Sequence, residues 1–449
     1  RGAPNVPMQA QPPGPKGEPV LGSTRRYARD PFTFMQQVGR AYGDIARFRL
    51  ADRDTYMLTN PRDVEEVLVA GERAYRKPVF GDDAVQELLG NGLLLSEGEF
   101  WREQRKRAQP AFDPRRISAM GEMMVDHAER HVADWESGDV VDIREEMAEL
   151  TVGIIADAMF DVRLDDGTIS EVQAALEPLG ARFEPDPVRF LTPGWVPTPE
   201  NRRFQGAIDT LEQVLAGIVA ERRDRGVEES DDDLLAIMLR AAERDEIDDD
   251  VLRDELMTML LAGHDTTALT LTYAFYLLDG NPDARDRFHT ELDTTLDGRV
   301  TAADARELAF TDRVLNETMR LYPPVYVMFR QPRTGVKLAG YRVPEDALVM
   351  LPQWVVHRDP RWWDAPETFD PDRFQPERSS DRPNYAFFPF GGGPRICIGK
   401  QFSLLEAKLI LGTLCREFAF DRVGDGELSL RPSLTMHPAE PVEMELRDR

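Results

Sequence analysis

One cysteine, Cys397, lies in a glycine-rich loop directly before an apolar segment. Residues 390–399 follow the pattern Phe-x-x-Gly-x-Arg-x-Cys-x-Gly, and residues 402–411 carry apolar side chains at the spacing of a buried helix face. Backbone N–H groups and the dipole at a helix start favour the thiolate form of a cysteine. Gly393 and Gly399 allow backbone angles and close approaches that a Cβ would obstruct. A buried structural cysteine is the alternative, but the combined spacing favours a thiolate that binds a metal.

A second stretch places an acid and two hydroxyl groups in the middle of a predicted helix. The segment 252–278 is helical by length and periodicity, and it contains Gly263, Asp265, Thr266 and Thr267. These residue types are poor helix formers, and threonine hydroxyls bond back to helix carbonyls. We therefore expect a loosened helix at which oxygen binds and is protonated. The alternative is a polar seam between packed helices.

Three charged residues are predicted to form a buried cluster. Glu317 and Arg320 are three residues apart and share one helix face, and Arg373 follows in the segment 371–374. A buried ion pair needs its remaining donors and acceptors satisfied, which a second arginine can do. The three residues are therefore expected to act as a structural triad.

Together these motifs resemble the cytochrome P-450 family of haem-thiolate monooxygenases. Four motifs keep the family's order between residues 101 and 399: Trp-x-x-x-Arg at Trp101 and Arg105, Ala-Gly-x-Asp-Thr, Glu-x-x-Arg and the cysteine loop. The resemblance implies that Cys397 is the axial ligand of the iron, that Thr266 hydrogen-bonds dioxygen and that Asp265 supplies protons through water. The residues expected to contact the haem or its propionates are Trp101, Arg105, Ala262, Arg330, Phe390, Gly391, Arg395, Cys397 and Gly399. In the family the triad stabilises the loop that leads to the cysteine, so its loss should reduce haem retention more than specificity.

The resemblance also implies the fold and the reaction. The expected fold is mainly α with a smaller β-rich part, and haem b lies between the oxygen-binding helix and the cysteine-ligand helix. Residues 1–449 are expected to form one haem domain with a proline-rich leader at 1–23 and no fused reductase. The expected enzyme is a monomer that inserts one atom of dioxygen into a hydrophobic substrate of lipid, terpenoid or carotenoid type. Its electrons come from a separate ferredoxin or flavodoxin.

An apolar substrate pocket is expected beneath a mobile cover. Residues 180–200 combine several prolines with aromatic side chains, which is typical of irregular covers and falls where the family has its substrate lid. The candidate pocket residues are Phe183, Phe190, Val325, Val327 and Met328.

Composition restricts the partners and the setting. The chain has 81 acidic and 55 basic residues, a formal net charge of -26 and only six lysines. Such a surface excludes nucleic acid as a partner and is typical of salt-loving microbes, although an acidic protein from a GC-rich genome is the alternative. Two cysteines suit a reducing cytoplasm. The sequence contains no run of eighteen apolar residues, so we expect no transmembrane anchor.

The sequence disfavours two alternative functions and one alternative site. Peroxygenases and haem-thiolate isomerases often lack the acid–threonine pair, which this chain keeps at Asp265 and Thr266. A haem sensor normally carries an output module, for which the sequence gives no sign. His127 and His131 are four residues apart but do not match His-Glu-x-x-His, so a metal site there is disfavoured.

Overall fold

The computed structural model describes residues 11–78, 84–184, 196 and 198–449, and this part of the chain is mainly helical. The predicted class, mainly α with a smaller β-rich part, is confirmed. The helices are α1 Thr24–Arg29, α2 Pro31–Tyr42, α3 Pro61–Glu65, α4 Ala84–Leu89, α5 Gly98–Ala108, α6 Pro114–Ala119, α7 Gly121–His131, α8 Ile143–Phe160, α9 Asp166–Arg182, α10 Pro199–Arg225, α11 Leu234–Glu243, α12 Asp249–Asp279, α13 Pro282–Thr295, α14 Asp304–Glu307, α15 Ala309–Leu321, α16 Gln353–Val356, α17 Pro376–Ser379 and α18 Lys400–Glu417.

The strands lie mostly near the two ends of the chain and between α15 and α16. They are β1 Ile45–Leu50, β2 Arg53–Leu58, β3 Tyr75–Arg76, β4 Val140–Asp142, β5 Met328–Pro332, β6 Val336–Leu338, β7 Tyr341–Val343, β8 Leu348–Leu351, β9 Phe418–Arg422, β10 Leu430–Pro432, β11 Met436–Pro438 and β12 Glu443–Asp448.

The largest sheet has the strand order β1-β2-β8-β5-β3. Strands β1 and β2 form a hairpin about Asp52, with Ile45 opposite Leu58. Strand β8 runs parallel to β2, and β5 is antiparallel to β8 with Arg330 opposite Val349. A separate antiparallel hairpin joins β10 to β11, and it becomes important at the active site.

Helix α12 is the longest described helix, and it contains the whole predicted segment 252–278. Its start is fixed by Asp248, whose Oδ1 accepts a hydrogen bond from the Val251 amide at 2.9 Å. Helix α8 crosses α12 at Gly263, where an added Cβ would lie only 2.6 Å from Cδ1 of Ile155. Glycine is therefore needed at this position because the two helices approach so closely.

Helix α18 lies beside α12 and carries the cysteine loop at its start. The two helices are joined by a hydrogen bond of 3.0 Å between Oγ1 of Thr267 and Oγ of Ser403. Phe402 and Leu409 are buried on α18 within the main hydrophobic core. This packing holds the cysteine loop near the middle of α12.

The described part of the leader follows strand β1, because the Arg47 amide donates to the Pro13 carbonyl at 2.9 Å. Residues 1–10 of the predicted leader lie outside the described residues, as do 185–195 of the predicted cover, including Phe190. Among the described residues, the helices are too short or too polar to cross a membrane.

Candidate active site

The cysteine loop is held in place by contacts close to Gly393. The Cys397 amide donates to the Phe390 carbonyl at 2.9 Å and closes the loop on itself. Gly393 has φ +64°, and a Cβ added there would lie 2.1 Å from the carbonyl oxygen of Leu68. Leu68 belongs to a π-helical turn, Glu66–Ala70, that continues α3. A side chain at 393 would therefore push the loop away from this turn.

Gly399 does not behave as the sequence predicted. Its φ is −84°, which any residue adopts, and an added Cβ would make ordinary contacts of 3.8 Å to Phe112 and 4.0 Å to the Cys397 sulfur. The protein's own atoms therefore do not require glycine at 399.

The thiol of Cys397 is accessible to solvent, although protein atoms surround it at longer range. This desolvation raises the pKa of the Cys397 thiol, while the N–H groups of Gly399 and Lys400 and the charge of Arg105 oppose the rise without cancelling it. The predicted stabilisation by the helix start is thus present, but it is outweighed. A thiolate at Cys397 depends on a further positive charge, such as a metal ion.

Helix α12 presents two different faces at its predicted reactive stretch. Ala262 is exposed although Leu260 and His264 beside it are buried. The Thr266 hydroxyl donates to the Ala262 carbonyl at 3.1 Å, so these two residues share one face. Asp265 instead faces the β10–β11 hairpin, where its Oδ2 accepts a hydrogen bond from Thr435 at 2.6 Å.

The predicted loosening of α12 is not observed. The helix runs without interruption from Asp249 to Asp279. The hydroxyls of Thr266 and Thr270 bond to the carbonyls four residues earlier, the latter at 2.8 Å. These are extra bonds to helix carbonyls, and they leave the helical backbone intact.

Three basic side chains, buried Arg330 and half-buried Lys77 and Arg395, lie close to one carboxylate beside the cysteine loop. Burial and the charges of Arg330 and Arg395 lower the pKa of Lys77 well below its usual value. Burial and the charge of Arg395 likewise lower the pKa of Arg330 to about 10. Glu97 forms an ion pair with Arg395 at 3.0 Å and accepts a hydrogen bond from Arg333 at 2.6 Å. This part of the site therefore holds more positive charge than negative charge.

Trp101 and Arg105 both contact the cysteine loop from α5. The guanidinium of Arg395 lies over the Trp101 ring, 4.3 Å from its centroid. Arg105 donates to the carbonyl of Ile396 at 2.9 Å. On the other side of the loop, Lys400 lies 5.6 Å from the Phe390 ring centroid, and Gly391 has φ +72°.

The predicted triad is assembled in the core. Glu317 accepts two hydrogen bonds from Arg320, at 2.7 and 2.8 Å, and one from Arg373 at 3.2 Å. Both arginines also donate to backbone carbonyls, including those of His357 and Ala365. The carboxylate and the cations are therefore satisfied, as a buried ion pair requires.

The described pocket candidates lie in two places. Val325, Val327 and Met328 are half-buried between α15 and β5, and an added Cβ at Gly391 would lie 3.2 Å from the Met328 methyl group. Phe183 packs edge-on against Phe204 of α10, with ring centroids 6.0 Å apart.

His127 and His131 do not share a ligand position. His127 pairs with Asp157 at 2.9 Å and His131 with Glu146 at 2.8 Å. Each ring is thus engaged by a separate carboxylate.

Several residues of the site carry no local sequence signal. No sequence motif identifies Lys77, Glu97, Thr435 or His437 as part of the site. Glu406 is a buried acid on α18 whose carboxylate oxygens have no hydrogen-bond partner among the described residues. Their positions depend on contacts between distant segments, although one lysine among only six could have attracted notice.

These features fit the haem that the resemblance implies. An accessible thiol lies at the start of α18, an exposed alanine interrupts the buried surface of α12, and the two helices touch nearby at Thr267 and Ser403. The surplus of basic side chains suits the two carboxylates of a porphyrin.

Comparisons with known proteins agree with this site. The cytochrome P450 family model matches residues 12–445. Cyclooctatin synthase from Streptomyces melanosporofaciens is 34% identical over 443 residues, which cover 96% of this chain and 94% of that protein. Pentalenene oxygenase from Streptomyces avermitilis is 29% identical, with 96% of each chain covered. The crystal structure of the cytochrome P450DA heme domain matches with a TM-score of 0.86 and 27% identity over 98% of both chains. The chain therefore belongs to the cytochrome P450 family and is a haem-dependent monooxygenase.

Proposed function

We propose that this enzyme oxidises a hydrophobic isoprenoid, of terpenoid or carotenoid type, with electrons from a separate ferredoxin or flavodoxin. The observation that carries the proposal is an accessible Cys397 thiol at the start of α18, which is hydrogen-bonded to the helix of exposed Ala262, together with a surplus of basic side chains beside the loop. Bound haem b supplies the activation of dioxygen, and a thiolate ligand favours O–O cleavage.

The protein's part is to hold the haem and exclude water. Cys397 would ligate the iron, and Phe390 would pack near the thiolate. Lys77, Arg330 and Arg395 would neutralise the propionates, while Trp101 and Arg105 support the loop. The buried triad keeps the chain before the loop in one conformation, which is why its loss should lower haem retention.

Thr266 and Asp265 divide the proton chemistry between them. The Thr266 hydroxyl lies with Ala262 on the exposed face of α12 and donates a hydrogen bond to the Ala262 carbonyl. Asp265 lies on the neighbouring face, where it receives a proton and passes it towards Thr266 through water.

The axial ligand is tested by Cys397→Ala. The reduced carbon monoxide complex of the wild type should have the red-shifted Soret band of a thiolate-ligated haem, and the variant should lack it. Cys415→Ala is the control, because Cys415 is buried in the core away from the loop. A red-shifted band that survives in Cys397→Ala would exclude this cysteine as the ligand.

The substrate class rests on apolar side chains near the site and on the names of the relatives. Val325, Val327 and Met328 offer half-buried hydrocarbon surface. The test is a Soret titration with pentalenene, β-carotene and palmitate, followed by mass spectrometry of products formed with an electron donor. A shift and an oxygenated product with palmitate alone would replace the isoprenoid by a fatty acid.

The electron donor is expected to be acidic. Although the chain carries a net charge of -26, Arg102 and Lys106 are exposed on α5, whose Arg105 contacts the cysteine loop. Opposite charges speed encounter, and salt weakens that effect. Lys106→Glu should slow reduction by a [2Fe–2S] ferredoxin at low salt, whereas Lys337→Glu, exposed on β6, should not. Equal rates for the two variants would exclude α5 as the docking surface.

A further inference from the structure

Asp265, Thr435 and His437 form a chain of hydrogen-bonding side chains. Thr435 Oγ1 lies 2.6 Å from Asp265 Oδ2 and 2.9 Å from Nε2 of His437. His437 Nε2 is itself 3.6 Å from Asp265 Oδ2, too far for a direct hydrogen bond. Thr435 is therefore the link between the histidine and the acid.

The chemistry of the three groups fixes the direction of the chain. An ionised carboxylate only accepts, so the Thr435 hydroxyl donates to Asp265. The Thr435 oxygen then accepts from His437, which requires a proton on Nε2. The remaining nitrogen, Nδ1, is buried and has no hydrogen-bond partner among the described residues. Nδ1 is thus the unpartnered end of the chain, as a buried acceptor rarely is.

The hairpin that carries Thr435 and His437 is held firmly against α12. The Tyr273 hydroxyl of α12 donates to the Met436 carbonyl at 2.6 Å. The Met436 amide donates to the Pro324 carbonyl at 2.8 Å. Tyr326 and Ser433 add bonds from the segment before β5 and towards the end of α9. The distance between Asp265 and Thr435 is therefore set by the fold.

The charges around His437 come from three elements and from Glu184, just after α9. Burial lowers the pKa of His437, Arg431 of β10 and Arg144 of α8 lower it further, and Asp265 and Glu184 oppose them. His264 of α12 also faces it. A neutral imidazole donates through Nε2 and accepts through Nδ1, as a proton relay requires.

We propose that Thr435 and His437 orient Asp265 and restore its proton, so that His437 is a positioning residue for the monooxygenase reaction. This inference rests on the proposed role of Asp265. When Asp265 gives up its proton, the carboxylate takes the Thr435 hydroxyl proton and Thr435 takes the proton of His437 Nε2. His437 Nδ1 accepts one proton from solvent through a water that must reach this buried nitrogen, and the ring must return to its Nε2–H tautomer before the next transfer. One proton enters and one leaves, so the charge of the three groups does not change.

The first test measures how electrons divide between product and peroxide. Holoenzyme with ferredoxin, ferredoxin reductase and pentalenene should consume oxygen, and His437→Gln should lower product per electron pair by about tenfold, because positioned proton transfer contributes about 10²- to 10⁴-fold and Asp265 itself remains. Thr435→Val should act alike, and Thr435→Ser should restore the wild-type value. The double variant His437→Gln with Thr435→Val should be no worse than either single variant. His131→Gln, whose ring pairs with Glu146, is the matched control.

The second test does not depend on turnover. In the ferrous carbon monoxide complex, the ¹⁵N signals of the six histidines are few enough to assign by deletion. Wild-type His437 should show a protonated Nε2 and an unprotonated Nδ1, and Asp265→Asn and Thr435→Val should both shift these signals. The relay would be overturned if the His437 signals are unchanged in both variants. It would also be overturned if His437→Gln forms as much product per electron pair as an active wild type. A wild type without the red-shifted Soret band would instead remove the proposed function itself.

Discussion

At the scale of single residues, neighbours in sequence have separate tasks. Thr266 and Asp265 are adjacent, yet the hydroxyl bonds to Ala262 on the exposed face of α12 and the carboxylate bonds to Thr435 on the other side. One residue step around a helix is about 100°, so adjacent side chains on α12 point to different surroundings. The pair can therefore keep a proton donor and a hydrogen-bond donor apart.

Replacing Thr266 tests this division. Thr266→Ala should retain haem but lower product per electron pair by about 10²-fold, since a positioned hydroxyl is lost from the proton path. The measurement compares product with peroxide at a fixed supply of electrons. Thr266→Ser keeps the hydroxyl and should remain close to the wild type. Wild-type coupling in Thr266→Ala would remove this hydroxyl from the mechanism.

Glu255 has no assigned role and should destabilise the fold at high pH. It is fully buried on α12, and burial raises the pKa of its carboxyl from 4.5 to about 7, while the Leu93 amide opposes the rise. The folded state therefore binds a proton more tightly than the unfolded state. Between pH 4.5 and about 7 the free energy of unfolding falls as pH rises, and the loss is complete above that range.

Glu255→Gln should remove this loss. At pH 8 the variant should be more stable than the wild type by about 3 kcal/mol, since one pKa unit corresponds to about 1.4 kcal/mol. At pH 4.5 the two should unfold alike. Urea unfolding at both pH values measures the difference, and Glu171→Gln, exposed on α9, is the control. A variant that gains nothing at pH 8 would show that Glu255 is ionised without cost.

At the scale of elements, the approach of α8 to α12 sets the shape of the reactive helix. Gly263 lies where Ile155 of α8 reaches the α12 backbone. An exposed glycine in a helix would gain about 1 kcal/mol on replacement by alanine, but overpacking costs about 1–3 kcal/mol. The steric term should therefore prevail.

Gly263→Ala should lower the melting temperature, and adding Ile155→Ala should relieve the overlap. The two changes should be non-additive because their atoms are in contact. Gly217→Ala on α10, where an added Cβ meets nothing within 4 Å, should instead leave stability unchanged or raise it. Equal effects at positions 263 and 217 would mean that the helices separate freely.

Elements with local signals could be predicted from the sequence, and long-range contacts could not. The helix 249–279, the β1–β2 hairpin and the cysteine loop follow from periodicity, turn residues and spacing within short segments. The bond between Asp265 and Thr435 joins residues 170 positions apart. The neighbours of Lys77 likewise come from β5 and the cysteine loop. Such pairs depend on how the helices and sheets pack, which single-segment patterns do not contain.

At the scale of the whole molecule, acidic residues outnumber the arginines and lysines that could pair with them. Arginines are shared among several carboxylates: Arg222 contacts Asp231 at 2.9 Å and Asp233 at 2.7 Å. Arg299 contacts Glu129 at 2.9 Å and two further acids. The Arg222 pairs lie at a buried guanidinium, whereas exposed pairs such as those of Arg299 contribute about 0–1 kcal/mol each. They cannot offset the mutual repulsion of a chain with a net charge of -26.

The enzyme should therefore become more stable as salt is added. Chloride salts screen charge repulsion over about 10 Å at 0.1 M and about 3 Å at 1 M. Screening also weakens the exposed ion pairs, but these are worth less than the repulsion that it removes. The melting temperature and haem retention should rise well beyond physiological salt. Sodium and potassium chloride should act alike, whereas sulfate should add the effect of exclusion from the surface. A thermal melt followed at the Soret band across a chloride series measures this, and a melting temperature independent of chloride would refute the prediction that this is a salt-adapted protein.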